Sequence, residues 1–228
     1  MDNTTRLQYL SAMGIDVWVP RTYAEITEIE GMAAGTAEDS WASLHAEMRA
    51  CQQCNLCQDR QQVVIGAGNQ RADYMWISEA PNLAEEQQGL PFTDGSAELL
   101  TEMLRAMQLS REQIYITNIV KCRPPEDRDP KSQELVACET FLQRQIALIQ
   151  PKVLIAVGRI AAHKLLQSKA PLADLRGIEY QFLGIPLVAM YHPAYLLRTL
   201  TEKSKAWQDM QMALTLLNKT KNNDKPSI

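Results

Sequence analysis

From about residue 63 onward the chain alternates short apolar, β-branched and aromatic runs with longer stretches whose apolar positions recur three and four residues apart. The short runs, Tyr74 to Ile77, Ile114 to Ile119, Val153 to Val157 and Leu187 to Met190, have the length and composition of buried strands. The stretches between them, about Ala97 to Met107, Ser132 to Ile149 and Arg159 to Leu166, carry the period of amphipathic helices, and a last helix is expected from about Ser204 to Leu217. Strands that alternate with helices need crossover connections. The pattern therefore predicts a three-layer α/β/α fold with a mainly parallel central sheet.

Ahead of this region the pattern is different. Leu7, Leu10, Met13, Ile15 and Trp18 suit a short helix followed by a turn at Gly14, an appendage spanning residues 1–23. Residues 24–38, rich in Ala, Gly, Glu and Thr, offer no continuous apolar face and read as a linker. Asp39 and Ser40 supply a cap for a helix running into Cys51. One domain is then expected over residues 39–217, since 228 residues suffice for one full core, with a polar, mobile tail over 218–228.

The first residues lack the basic start and unbroken apolar run of a secretory signal, and no stretch approaches the roughly 20 apolar residues of a membrane helix. A soluble, cytoplasmic protein is the expectation. In that compartment five cysteines point to metal ligation before disulfides. A net charge of −4 argues against coating nucleic acid by charge alone, but leaves room for a locally basic face. Lys121, Arg123, Arg128 and Lys131 form one candidate stretch, and Arg198, Lys203 and Lys205 another.

Cys51, Cys54 and Cys57 stand two residues apart from one another, close enough for their thiolates to turn toward one centre, and Cys122 and Cys138 lie far downstream. Thiolate ligation suits tetrahedral zinc or an iron–sulfur cluster. The wide separation of Cys122 and Cys138 fits a local zinc knuckle poorly. One of the five cysteines is spare, with Cys57 and Cys51 both eligible on spacing.

The run Cys51-Gln-Gln-Cys54, followed by Val63-Val-Ile-Gly-Ala-Gly68, resembles the opening of the family 4, iron–sulfur branch of the uracil-DNA glycosylases. Further matches follow in order: Ser78-Glu-Ala-Pro81, Gly89-Leu-Pro-Phe92, Ile116-Thr-Asn-Ile-Val-Lys-Cys-Arg-Pro-Pro125 with Arg128-Asp-Pro130, Ile149 to Gly158, and Tyr191-His-Pro-Ala-Tyr-Leu-Leu-Arg198. The resemblance implies a [4Fe-4S] cluster on Cys51, Cys54, Cys122 and Cys138, mainly structural, with Cys57 spare. It also implies an enzyme that extracts uracil from DNA, reads its edge and stabilises charge on the departing base. Phe92 would stack on the flipped base, and the Asn118 amide would read the uracil edge. His192 would donate a hydrogen bond toward uracil O2, and Glu79 would position the attacking water. Ala80 stands where other branches of the superfamily carry a catalytic aspartate. Leu196 and Leu197 would wedge into the vacated stack, with Arg198 on phosphate. A base-sized hollow between Phe92, Asn118 and His192 is expected.

The chain departs from the family pattern at four positions. Ser78 and Asn82 replace the outer glycines of a Gly-Glu-Ala/Gly-Pro-Gly motif, and Leu90 and Asp94 stand where Arg and Gly are usual. These changes predict weakened activity, with Asn82 crowding the pocket and Asp94 repelling phosphate. A second resemblance concerns Leu10, Met13, Ile15, Trp18 and Arg21, which look like the partner-binding N-terminal segment of the psi subunit of the bacterial DNA polymerase III clamp loader, and the stretch from Leu99 to Asn118 shares a likeness with the same protein. It implies an alternative, non-catalytic role with clamp-loader subunits as partners.

Overall fold

A computed structural model describes residues 40–223. Its strands are β1 (Ala67–Gly68), β2 (Tyr74–Ser78), β3 (Tyr115–Asn118), β4 (Val153–Val157), β5 (Glu179–Phe182) and β6 (Ile185–Met190). They form one sheet in the order β1-β3-β2-β4-β6-β5. The central β3, β2, β4 and β6 run parallel, and β1 and β5 pair antiparallel at the two edges. The helices are α1 (Trp41–Ala50), α2 (Leu83–Gln88), α3 (Gly95–Ala106), α4 (Ser132–Ile149), α5 (Arg159–Leu166), α6 (Leu172–Leu175), α7 (Pro193–Arg198) and α8 (Lys203–Asn223).

Strand alternation sorts the core into two layers. Tyr74 and Trp76 of β2, Ile155 of β4 and Val188 of β6 meet Leu100, Met103 and Leu104 of α3, Leu196 of α7 and Met210 and Ala213 of α8. On the other face Met75, Ile77, Leu154, Ala156 and Leu187 meet Leu142 and Ile146 of α4 and Ala161 and Leu165 of α5. Every residue of β2, β3 and β4 is buried, as a parallel sheet covered on both faces requires. The three-layer expectation holds. Ser40 caps α1 by accepting the Ser43 N–H at 3.2 Å, and Leu44 and Met48 then pack on Ile65 and Phe141.

The four strands and five helices expected within the described residues are present. The last helix is longer than expected: it begins at Lys203 and runs to Asn223, so the stretch from 218 that reads as a tail is helical as far as the description extends. The N-terminal appendage and linker, residues 1–23 and 24–38, lie outside the described residues. Among the described residues no helix is long and apolar enough to cross a membrane.

Leu154 is fully buried in the middle of the sheet. Leu154→Ala leaves a cavity that the flanking strands cannot close, and is expected to lower the unfolding free energy by about 2–5 kcal/mol, read from the midpoint of a urea titration.

Candidate active site

The parallel register brings the carboxyl ends of β2, β3, β4 and β6 to one edge of the sheet. Ser78 pairs with Asn118, and Val157 with Met190, two residues before His192. The chain steps from β2 to β3 on one side and to β4 on the other, so the reversal of strand order falls between β2 and β4, the place where open α/β sheets bind ligands.

Ser78 and Asn118, paired across neighbouring strands, face the α3–α7–α8 side. Asn118 is 1% exposed, and its Nδ2 has no hydrogen-bond partner. His192 caps α7, its Nδ1 accepting the Ala194 N–H at 3.1 Å, while its Nε2 lies 3.1 Å from Ser78 Oγ. Burial drives its pKa down from the ordinary value near 6.5 to about 4, against the opposing pull of the Asp94 carboxylate, and the imidazole is neutral at pH 7.

Phe92 stacks directly on His192, ring centroids 5.2 Å apart and planes inclined by 16°. Its backbone sits in the left-handed region at φ 55°, which bulky residues rarely adopt. Two charged side chains hold it there. Glu85 Oε1 accepts the Phe92 N–H at 2.5 Å, and the Arg111 guanidinium donates to the Pro91 and Phe92 carbonyls at 3.0 and 3.2 Å. A base sandwiched between Phe92 and His192 would need centroids about 7 Å apart, twice the contact distance of two rings. No such gap separates the two rings, and Phe92 is only 2% exposed, so the expected base-sized hollow between Phe92, Asn118 and His192 is closed at Phe92.

Glu79 turns the other way. Its Oε1 accepts the Ile160 N–H at 2.9 Å at the start of α5, and burial raises its pKa against the pull of that N–H. Gly158 makes the approach possible, since a Cβ there would lie 2.5 Å from Glu79 Oε1, and its φ of 95° is itself closed to most side chains. Glu79 and Ala80, with Pro81, Asn82, Asp127, Arg128, Asp129, Pro130 and Ile160, line a small open cleft. The structure thus brings Phe92, His192, Ser78 and Asn118 together and sets Glu79 and Ala80 on a neighbouring wall.

The thiols gather on one side of this edge. Cys54 lies within electrostatic reach of Cys51, Cys57, Cys122 and Cys138, and Cys138 of Cys51 as well as Cys122. Among the described residues, no three His, Cys, Asp or Glu side chains close tightly enough around one point to hold a single metal ion. Arg60 Nη1 donates to Cys122 Sγ at 3.4 Å, and the Leu56 and Lys121 amides donate to Cys54 and Cys138. Burial raises the pKa of Cys54 and Cys138, and that of Cys122 to about 11, so none of the three is poised as a free nucleophilic thiolate.

Residues 65–211 match the Uracil DNA glycosylase superfamily. The type-4 uracil-DNA glycosylase of Thermotoga maritima is 34% identical over 188 residues, covering 81% of this chain and 98% of the relative. That of Archaeoglobus fulgidus is 36% identical over 159 residues, 66% of this chain and 80% of the relative, and that of Saccharolobus solfataricus 39% over 157 residues, 65% and 73%. The chain belongs to the uracil-DNA glycosylase superfamily.

As a member of that superfamily the chain needs three corrections to the sequence reading. Lys121 is not a surface cation: it is 1% exposed, and its Nζ donates to Thr117 Oγ1 at 2.6 Å, the Asn118 carbonyl at 2.6 Å and Gln145 Oε1 at 2.7 Å. Leu196 is 1% exposed and packs in the core, so the side chain free to act as a wedge is Leu197, 45% exposed, next to the exposed Arg198. Asn82 does not occupy a strained backbone. At φ −92° it caps α2, exchanging hydrogen bonds with Glu85 in a capping box, and its Nδ2 donates to Asp94 Oδ2 at 3.1 Å. Asp94 in turn caps α3 through the Ser96 N–H. Glu85 and Arg111, which fix Phe92, escaped the sequence reading; the Asn82-x-x-Glu85 capping box was the available signal for Glu85, and Arg111 had none.

The unfolded chain takes up the His192 proton near pH 6.5 and the folded chain only near pH 4, so between these values the unfolded state binds more protons. The native state accordingly loses stability as pH falls from about 6.5 toward 4. His192→Asn is expected to remove this contribution, seen as a smaller drop in urea midpoint between pH 7 and pH 4.5 than in the wild type.

Proposed function

We infer that the protein hydrolyses the N-glycosidic bond of uracil in DNA, leaving an abasic site for repair, and that Cys51, Cys54, Cys122 and Cys138 hold a [4Fe-4S] cluster in a cytoplasmic enzyme. The observation that carries the first part is the buried Asn118 Nδ2. A buried donor without a partner costs about 1–3 kcal/mol, and one kept at a ligand-binding edge calls for an acceptor from outside. The O4 position of uracil is an acceptor, whereas cytosine presents its N4 amino donor there. Phe92, buried and stacked on His192, backs the imidazole in place of the expected stacking on a base. His192, neutral and carrying its proton on Nε2, suits donation toward uracil O2 as negative charge builds on the base. Glu79, fixed at the α5 N-terminus and facing the open cleft, suits placement of the water, with Ala80 lining the same wall. Leu197, in place of Leu196, suits the wedge, and Arg198 a phosphate. The relatives are named type-4 uracil-DNA glycosylases, which agrees with the activity.

The clamp-loader alternative has no matching support. Leu10, Met13, Ile15, Trp18 and Arg21 lie outside the described residues, and Leu99 to Asn118 is accounted for by α3 and β3 of the domain.

Wild-type protein is expected to release uracil from uracil-containing single- or double-stranded DNA. Asn118→Ala and His192→Ala should each lower the rate by about 10²–10³, as loss of one preorganised donor does, with unchanged circular dichroism. No release by the wild type from either strand form overturns the reading.

The donor set fits a cluster. Thiols from two distant segments converge, and two backbone amides and Arg60 point at the sulfurs as hydrogen-bond donors. Holding such a cluster, Cys51 and Cys54 would be tied to Cys122 and Cys138. Cys138→Ser is expected to lose iron and the brown visible absorbance and to melt at lower temperature, whereas Cys57→Ser should keep both colour and iron content; equal iron in all three proteins would remove the assignment.

A further inference from the structure

Ser78 stands where the family pattern has glycine, and its hydroxyl lies in a place no glycine fills. The parallel register puts it directly beside Asn118, and strand alternation turns both toward the layer that holds Phe92 and His192. It is buried at the strand's carboxyl end, where its carbonyl accepts the Ile119 N–H. Its Oγ meets His192 Nε2 at 3.1 Å.

The direction of that hydrogen bond follows from the other ring nitrogen. Nδ1 of His192 accepts the Ala194 N–H at 3.1 Å, so Nδ1 carries no proton. The neutral ring then has its single proton on Nε2, and Nε2 donates it to Ser78 Oγ. One N–H directed at Ser78 is not free for an incoming acceptor. The ring is also pinned in this orientation, by the stack with Phe92 on one face and the cap of α7 at Nδ1.

We propose that Ser78 is a rate-limiting restraint on this site: its hydroxyl competes with uracil O2 for the only proton that His192 can donate, so the chain is a slower glycosylase than its sequence with a residue lacking the hydroxyl at position 78. The inference rests on the glycosylase reading and deepens it. Ser78 acts through His192 and is a positioning residue. Its hydroxyl favours the base-free state, because the hydrogen bond to His192 has to be exchanged for the one to the base as charge develops. An interaction stronger in the ground state than in the transition state lowers kcat.

The test compares single-turnover uracil release by wild type, Ser78→Ala, Ser78→Thr, His192→Ala and Ser78→Ala combined with His192→Ala. Ser78→Ala is expected to be roughly 2- to 10-fold faster than wild type in the chemical step, the range set by one net hydrogen bond, with little change in DNA affinity. Ser78→Thr, which keeps the hydroxyl, should not show the gain, and the double variant should gain nothing over His192→Ala. In base-free protein, ¹⁵N NMR should show His192 protonated on Nε2 in both wild type and Ser78→Ala, with that proton exchanging faster with solvent in the variant. An active wild type with Ser78→Ala equal or slower overturns the restraint alone, as does a gain that persists without His192. If neither wild type nor Ser78→Ala releases uracil, the glycosylase reading falls and this inference with it.

Discussion

The register between β2 and its two parallel neighbours is the constraint on which the rest of the molecule depends. Side chains in a strand alternate between faces, so shifting β2 by one residue would exchange the roles of Ser78 and Glu79. In the observed register Ser78 lies beside Asn118 and within reach of His192, and Glu79 points at the α5 N-terminus, where Gly158 leaves room for it. What fixes the register is burial: Tyr74 and Trp76 fit one core layer and Met75 and Ile77 the other, with almost no exposed surface on any of them. The hydrophobic core and the chemistry of the edge are therefore one decision. The same alternation explains why the site has two walls, one aromatic and one acidic.

A second dependence links the thiols to Asn118. Between Thr117 and Cys122 the chain leaves the sheet, and Lys121 ties this exit down from inside, donating to the Thr117 hydroxyl, the Asn118 carbonyl and the Gln145 amide oxygen. Gln145 donates on to the Ile65 carbonyl and Tyr115 hydroxyl, which anchors the network to α4 and to the chain entering β1. Burial lowers the Lys121 pKa to about 7, and three acceptors are what make so deep an amine tolerable. Because Cys122 is the next residue, any group held by the four thiols also holds this segment, and with it the carbonyl side of Asn118. A bound metal centre would thus stabilise the base-reading edge without touching a base.

Much of this was legible in the amino-acid pattern, and the failures have physical causes. The four central strands lie in buried, mostly apolar runs flanked by helical stretches and read correctly, whereas β1 has only two residues and carries no period at all. β5, with exposed Glu179 and Gln181 flanking buried Tyr180, does alternate, but four residues at a sheet edge give too short a signal to stand out. The motifs marked Phe92, Asn118 and His192 as one group, and the structure gathers them. They could not show that Phe92 and His192 would close on one another, since ring contact is a matter of tertiary geometry. Lys121 and Leu196 were misjudged for one reason. Residue type sets an average exposure, and a lysine with three buried acceptors or a leucine on the inner side of a six-residue helix departs from that average for reasons encoded far away in the chain.

The replaced glycines show how such a site can change without losing its fold. At positions 82 and 94 the family pattern has residues without side chains, and here Asn82 and Asp94 have become N-caps of consecutive helices, joined to each other by a hydrogen bond. Against glycine at the same N-cap, such a side chain contributes only a few tenths of a kcal/mol, so both substitutions favour the folded state slightly. Their placement has a second effect. The Asp94 carboxylate lies within electrostatic reach of His192 and of the edge where negative charge would develop on a departing base, and its pKa is lowered by its bonds to Ser96 and Asn82 despite opposing burial, which keeps it ionised. An anion held there raises the energy of a nearby anionic transition state while steadying the helices that frame it. On the glycosylase reading, the stability that Asn82 and Asp94 give the rim of the site would then be opposed to rate within it through the Asp94 charge.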